Sequence, residues 1–261
     1  MGANGTVALI DTSGGGSHLH VYTSFDVAEG ETAEFDDVTL HGGTTALQGG
    51  STLEVSGALT LEGNAQIQVQ CRNIDGLVAG SWNGEGVRII AGGVTIGPDA
   101  AISADGQGYK AVAGGPGNGP GRGALATGAG HGGFGGRTAA GTRGVPYGAA
   151  AFPVQPGSSG GGAEPTTPGG AGGGALWLET ENLVLHGAIA ASAPRAPALT
   201  SAAGGSGGST LLDVGSITGD GSITAAGAWA DVNWGGSGGA GGRIALYYRN
   251  EMTLPEENIT A

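Results

Sequence analysis

Short runs in which apolar and polar residues alternate occupy residues 18–70. Glycine, serine, asparagine or aspartate interrupts them after four to six residues, as at Ser56-Gly57 and Glu62-Gly63-Asn64. Alternation with a period of two is typical of strands that bury one face. Because the interruptions come too often for long hairpins, the pattern predicts short strands that meet at corners, as in the coils of a β-solenoid. The runs are 18–22, 37–40, 51–55, 58–61 and 66–69.

A repeat in the rest of the chain strengthens this interpretation. Segments 86–104, 174–191, 208–225 and 242–261 each begin with glycine and close on Ile-[Ser/Ala/Thr]-Ala. The last three recur at about 34–36 residues, which is typical of stacked repeats. We therefore predict an all-β fold, a right-handed parallel β-helix, whose hand follows from strand twist. One interior column is expected to contain the isoleucines of the shared ending, Ile102, Ile189, Ile223 and Ile259.

Glycine-rich insertions separate the repeats, the longest spanning 105–173. Within 115–123 glycine recurs at every second position, which excludes the three-residue period of collagen. Two interpretations remain: a floppy loop on the flank of the solenoid, or extended, polyglycine-II-like strands packed side by side. Aromatic residues favour packed strands, since flexible linkers contain few of them. The insertion contains Phe134, Tyr147 and Phe152. The predicted organisation is thus β-solenoid coils over 1–104, a glycine-rich insertion over 105–173, and coils with short glycine-rich loops over 174–261.

Composition narrows the function classes. Glycine supplies 60 of the 261 residues, which disfavours helices, while the 39% of hydrophobic residues is enough to build a core. The net charge of −13 repels phosphate groups, so nucleic acid is not an expected partner. No apolar stretch approaches the roughly 20 residues of a membrane span, so no membrane insertion is expected in this segment. Cys71 is the sole cysteine, which rules out an intrachain disulfide.

The glycine motifs resemble those of a broad group of very large secreted bacterial proteins, in which glycine-loaded loops alternate with β-helix coils. The resemblance covers residues 86–261 well. In residues 18–70 it extends only to the general pattern of the sequence. It implies an extracellular or cell-surface location and an adhesive or scaffold role, with no catalytic residues to transfer. The motifs that carry it are ISADGQG at 102–108, GGSGGST at 204–210, GDGSITA at 219–225 and GGSGGAGGRIALYY at 235–248.

Three tryptophans are candidate carbohydrate-binding residues, because flat indoles stack on sugar rings. They are Trp177, Trp229 and Trp234. The last two flank Ala230-Asp-Val-Asn233, which supplies hydrogen-bonding groups, whereas Trp177 alternates with Leu176 and Leu178 and so points away from both. The alternative is a purely structural role, in which all three tryptophans cap glycine loops.

Candidate metal ligands are few. His18 and His20 lie two residues apart on a strand and face one side, with Asp11 as a third group that a neighbouring strand could bring close. Asp105 and Asp220 each precede a glycine, as in calcium-binding turns, although the nonapeptide repeat of calcium solenoids is missing. Ordinary strand and turn roles explain all of these residues too. No cofactor is expected, and calcium is the one ion that the Asp-Gly turns would suit.

A polysaccharide-degrading β-helix would need acidic residues and a basic partner on one face. The acidic candidates are Asp36, Asp37, Glu179 and Glu181. A basic partner is lacking: Lys110 lies in the insertion, and Arg88 and Arg243 lie at strand starts. We therefore expect a non-catalytic structural or adhesive module whose partners are cell-surface or matrix glycans or further copies of itself. A carbohydrate-binding or polysaccharide-degrading β-helix protein is the alternative.

Overall fold

A computed structural model describes residues 7–138, 142–163, 165–196, 202–230 and 235–261. These ranges contain sixteen β-strands and one 3₁₀ helix, Glu256–Asn258, and no α-helix. Helices of the length and apolarity that a bilayer crossing requires are absent from the same ranges.

The strands form two sheets, of nine and seven strands. The first sheet contains β1 (Ala8–Asp11), β2 (His18–Val21), β4 (Thr32–Phe35), β5 (Asp37–Leu40), β7 (Thr52–Leu61), β9 (Val87–Ile96), β11 (Ala175–Leu185), β13 (Ser209–Gly219) and β15 (Arg243–Met252). The second sheet contains β3 (Ser24–Val27), β6 (Thr44–Leu47), β8 (Gln66–Val69), β10 (Ala101–Ser103), β12 (Ala188–Ala190), β14 (Ser222–Thr224) and β16 (Ile259–Thr260).

The hydrophobic core lies between the two sheets, and both contribute alternate residues to it. Leu178 of β11, for example, pairs with Leu212 of β13, which pairs with Leu246 of β15. Leu178 and Leu212 are fully buried, whereas Leu246 at the sheet edge is only partly buried. The period of two in the sequence therefore does separate a core face from an outer face.

The predicted isoleucine column is confirmed. Ile102 pairs with Ile189, Ile189 with Ile223, and Ile223 with Ile259, in the parallel strands β10, β12, β14 and β16. The first three are completely buried, and Ile259 packs against the core from the edge of the sheet. The shared Ile-x-Ala ending therefore marks equivalent positions of neighbouring strands.

The prediction of a right-handed parallel β-helix is wrong as a description of the chain. The first sheet is mixed, because β1 runs antiparallel to β2, with Asp11 opposite His18 and Ala8 opposite Val21. The parallel strands are distributed over two sheets of nine and seven strands, and the described residues of the glycine-rich insertions contribute no strand to either. The physical reason is that alternation specifies a strand and its buried face, whereas the direction and number of its partners depend on long-range packing.

A glycine-rich region packs beside the sheets; it comprises the described residues of 105–173 together with 202–208 and 235–242. Three of its extended segments, 157–161, 170–173 and 203–206, bond to one another in a cycle through backbone amides at every third residue. The first donates to the second, the second to the third, and the third to the first. The donor-to-acceptor bonds of this cycle are Gly157 to Gly173, Gly160 to Gly170, Gly170 to Ala203, Gly173 to Ser206, Ala203 to Gly161 and Ser206 to Ser158.

Such a cycle requires backbones to approach without side chains between them. A Cβ atom added at Gly205 would lie 2.0 Å from the carbonyl oxygen of Ala171, and one added at Gly173 would lie 2.0 Å from that of Ala191. The expectation that the insertion packs rather than extends as a floppy loop is confirmed for its described residues. Its segments are not β-strands, however, since successive amides bond to different neighbours and build no ladder.

The insertion does not interrupt the sheets. Strands β9 and β11, which precede and follow it, are direct neighbours, with Arg88 beside Trp177. Amides of the glycine-rich region also bond to carbonyls just after the short strands, as from Gly208 to Ala191 and from Gly242 to Ala225. The domain limits 1–104, 105–173 and 174–261 stay a prediction.

Candidate carbohydrate-binding cleft

A cleft with a volume of about 530 Å³ lies where the glycine-rich region meets the starts of β7, β9 and β11. We call it the Trp82–Trp177 cleft. Trp82 comes from the irregular segment before β9, Phe152 and Gln155 from the glycine-rich region, and Arg88 and Trp177 from neighbouring strands. With Ser51, which precedes β7, four separate parts of the chain contribute side chains to one concave surface.

Strand register positions Trp177. Leu176 and Leu178 on either side are buried in the core, so the indole lies on the outer face, as its alternation with the leucines predicts. Arg88, the cross-strand neighbour, places its guanidinium 4.3 Å from the indole centroid, and Phe152 meets the indole edge to face at 5.0 Å. These two contacts hold the indole in one orientation.

Trp82 is held by a small second core. Its ring meets Tyr109 edge to face at 5.4 Å, and Tyr109 is buried beside Cys71 and Ile74. The tyrosine hydroxyl accepts a hydrogen bond of 2.8 Å from the Gly84 amide, and burial raises the pKa of this tyrosine. Trp82 is thus fixed to the protein although no strand carries it.

The polar groups of the cleft include unused hydrogen-bonding capacity. Five buried side-chain polar atoms in the described ranges have no partner, and three of them belong to residues that line the cleft: Ser51 Oγ, Gln155 Oε1 and Trp177 Nε1. Buried polar atoms are normally paired, so this concentration is unusual for a surface with only a structural role.

Charges around the cleft are compensated. Arg88 donates to Glu179 from Nε at 2.7 Å and from Nη2 at 2.5 Å. Arg72 likewise pairs with Glu85 at 2.5 Å and with Glu29 at 3.6 Å. The cleft therefore offers aromatic and neutral polar groups rather than a net charge.

Trp229, the second predicted tryptophan that the structure describes, lies away from this cleft. Trp229 is 82% exposed and lies beside Ala193 and Arg195 in a separate depression. Its carbonyl accepts a hydrogen bond from the Ala196 amide. Trp234 and its neighbours 231–233 lie outside the described residues. Of the two predicted carbohydrate-binding tryptophans that the structure describes, Trp177 lies in the cleft and Trp229 does not.

His18 and His20 share the outer face of β2, as predicted, but have different partners. His18 Nδ1 lies 2.9 Å from Asp37 Oδ2, and His20 Nδ1 lies 3.3 Å from His41 Nε2. Asp11 does lie opposite His18, yet its carboxylate accepts a bond from the Ser13 amide, which lowers its pKa. In the part of the chain that the structure describes, no three His, Cys, Asp or Glu side chains form a group that could hold a metal ion.

The two Asp-Gly turns lie apart and have separate interactions. Asp105 accepts a 2.5 Å bond from the Ser192 amide, and partial burial raises its pKa. Asp220 lies 2.6 Å from Nδ1 of His186, whose hydrogen bond lowers the pKa of the aspartate. Each carboxylate therefore connects its turn to a distant segment of the chain, and the calcium hypothesis stays untested.

The acidic candidates for catalysis are engaged in structural interactions. Asp36 accepts bonds from Ser17 and Ser56, and Asp37 accepts one of 2.7 Å from the Ala58 amide in addition to its contact with His18. Glu179 pairs with Arg88, as above. Glu181 shares Arg249 with Asp213 on the exposed face of the first sheet.

The sequence analysis missed Trp82, Phe152 and Gln155 as cleft residues. The signal in the sequence was weak. Trp82 is one of only four tryptophans in a chain with 5% aromatic residues, and Phe152 is an aromatic residue in a glycine-rich segment. It also missed His131, which is fully buried and stacks on Tyr147 at 4.5 Å. No protein-family model, curated protein or solved structure matches the chain.

Proposed function

We propose that this chain is a non-catalytic structural and adhesive module that acts outside the cell or on its surface. The supporting observation is the glycine-rich region, whose backbone amides bond in cycles and tie it to the two sheets. Fixing the backbone of one residue costs roughly 1–2 kcal/mol, and a glycine loses more freedom than any other residue. A chain that orders so many glycines forms a rigid structure with little side-chain volume, which suits a structural spacer.

The adhesive part of the proposal rests on exposed aromatic surface. Trp229 is 82% exposed, and Phe152 and Tyr248 are 48% and 52% exposed. Rings of this size in contact with water are typical of surfaces that bind a partner. Cell-surface or matrix glycans, or further copies of the chain, are the partners we propose.

Amide hydrogen exchange tests the structural role. We expect the amides of Gly173 and Ser206, which bond within the cycle, to exchange as slowly as those of the central strands. Gly205→Ala should accelerate exchange across the region, because its Cβ would lie 2.0 Å from the Ala171 carbonyl. Gly133→Ala is the matched control, since the nearest atom to its Cβ would be 4.0 Å away.

Rapid exchange of the cycle amides in the unmodified protein would contradict the structural role. So would quick tryptic cleavage after Arg122, because the amides of Arg122 and Gly123 both bond to backbone carbonyls.

The non-catalytic part has its own assay. Incubation with pectate or alginate and calcium should release no unsaturated sugars, since the acidic candidates are already paired. Calcium-dependent release that disappears on Glu181→Gln would overturn this part and favour the polysaccharide-degrading alternative.

A further inference from the structure

We propose that the Trp82–Trp177 cleft binds a neutral oligosaccharide. The inference rests on the proposed adhesive function and names the chemical class of its ligand. It differs from the sequence prediction in its residues, because Trp82 and Phe152 join Trp177 and Trp229 lies elsewhere.

The aromatic lining suits a pyranose ring. Trp82, Phe152 and Trp177 line one cleft. In sequence, Trp82 and Phe152 are 70 residues apart, and Phe152 and Trp177 are 25 residues apart. Phe152 is 48% exposed and so presents its ring to water. The axial C–H groups of a sugar pack against such rings, which removes apolar surface of both partners from water.

The remaining lining suits sugar hydroxyl groups. Ser51, Asn83 and Gln155 contribute neutral hydrogen-bonding side chains to the lining. A hydroxyl group both donates and accepts, so it can satisfy either kind of partner. The volume of about 530 Å³ falls within the range of roughly 300–1,000 Å³ for small-ligand sites.

Charge indicates a neutral rather than an acidic sugar. Arg88 is already paired with Glu179, and Arg72 with Glu85, so a uronate carboxylate would meet guanidinium groups whose charge is balanced by a neighbouring carboxylate. The net charge of −13 further repels an anionic chain. A neutral oligosaccharide avoids both penalties.

Calorimetric titration with cellohexaose, xylohexaose, mannohexaose and chitohexaose tests the proposal, with hexagalacturonate as the acidic comparison. We expect at least one neutral sugar to bind, and Phe152→Ala to raise its Kd roughly ten-fold through the loss of one aromatic contact. Phe134→Ala is the matched control, because Phe134 is similarly exposed at 55% but lies outside the cleft. It should bind like the unmodified protein.

A second variant and an independent readout keep the test decisive. Trp82→Phe should also weaken binding, and the indole signals of Trp82 and Trp177 in NMR spectra should shift on titration. The proposal is overturned if none of the neutral sugars binds at millimolar concentration, if hexagalacturonate binds more tightly, or if Trp229→Ala abolishes binding while Phe152→Ala does not. Failure of binding with slow exchange retained in the glycine-rich region would leave the structural role standing.

Discussion

Protonation of His131 is expected to couple folding stability to pH. The side chain is fully buried, its Nδ1–H donates a 2.8 Å hydrogen bond to the Gly207 carbonyl, and its ring stacks on Tyr147. The pKa of His131 is lowered from 6.5 to about 4, chiefly by burial and in smaller part by the charge of Arg243, while the hydrogen bond to the Gly207 carbonyl opposes the shift. The folded protein therefore holds the neutral imidazole.

The sign and size of the effect follow from linkage. Between the folded pKa of about 4 and the unfolded value of 6.5, the unfolded chain binds more protons, so stability falls as the pH falls through this window. Below both pKa values, the shift lowers the free energy of unfolding by roughly 3 kcal/mol. At pH ~5 it lowers this free energy by about 2 kcal/mol. Carboxylates whose pKa is lowered, such as Asp36, titrate below this window and contribute little there.

Denaturant unfolding at about pH 7.5 and about pH 5 measures this contribution. His131→Asn keeps an amide donor for the Gly207 carbonyl and removes the titrating group, so its loss of stability between the two pH values should be about 2 kcal/mol smaller than that of the unmodified protein. The imidazole NMR signals report the pKa directly and do not depend on the variant folding. Titration of His131 near 6.5, or an equal pH dependence in both proteins, would refute the reasoning.

Further predictions concern the core, the free thiol and one surface pair. Ile223→Ala should lower the free energy of unfolding by roughly 2–5 kcal/mol, and Ile259→Ala by less, because only Ile223 is completely buried; equal losses in denaturant unfolding would contradict the assigned positions. Burial raises the pKa of the Cys71 thiol to about 12, so iodoacetamide should modify it only after unfolding, and rapid labelling of the native protein would count against its burial. The pKa of Asp220 is lowered by His186, so the stability that this pair adds is present above the ordinary aspartate pKa and is lost as the pH falls through the lowered one. Asp220→Asn should remove that part of the acid dependence, and an unchanged profile would mean that the pair adds no stability.

Much of the local structure could be read from residue patterns. The strand at 18–21 has both histidines outside and Leu19 and Val21 inside, as alternation requires. The spacing of about 34–36 residues placed Ile189, Ile223 and Ile259 in one column. Both features depend on period and chain geometry alone, which are properties of the sequence.

Strand partners and the cleft could not be read in this way. The antiparallel pairing of Asp11 with His18 depends on which edge of the sheet the first strand reaches. The meeting of Trp82, Phe152 and Trp177 depends on how the glycine-rich region folds back onto the strands, and no local signal encodes that path.

The sequence by itself located the strands at 18–21, 37–40 and 66–69 and showed which of their residues face the core, and its glycine content disfavours α-helix, which the described residues lack. It did not predict β1, β3, β4 or β6, and it divided β7 into the two runs 51–55 and 58–61. Tertiary structure alone decided the mixed pairing, the burial of His131 and the identity of the cleft residues. The reason is physical. Side-chain alternation is a relation between adjacent residues, so it is visible in the sequence. The backbone contacts of glycine leave no side-chain pattern, and their hydrogen bonds join residues far apart in the chain, as between Gly173 and Ser206.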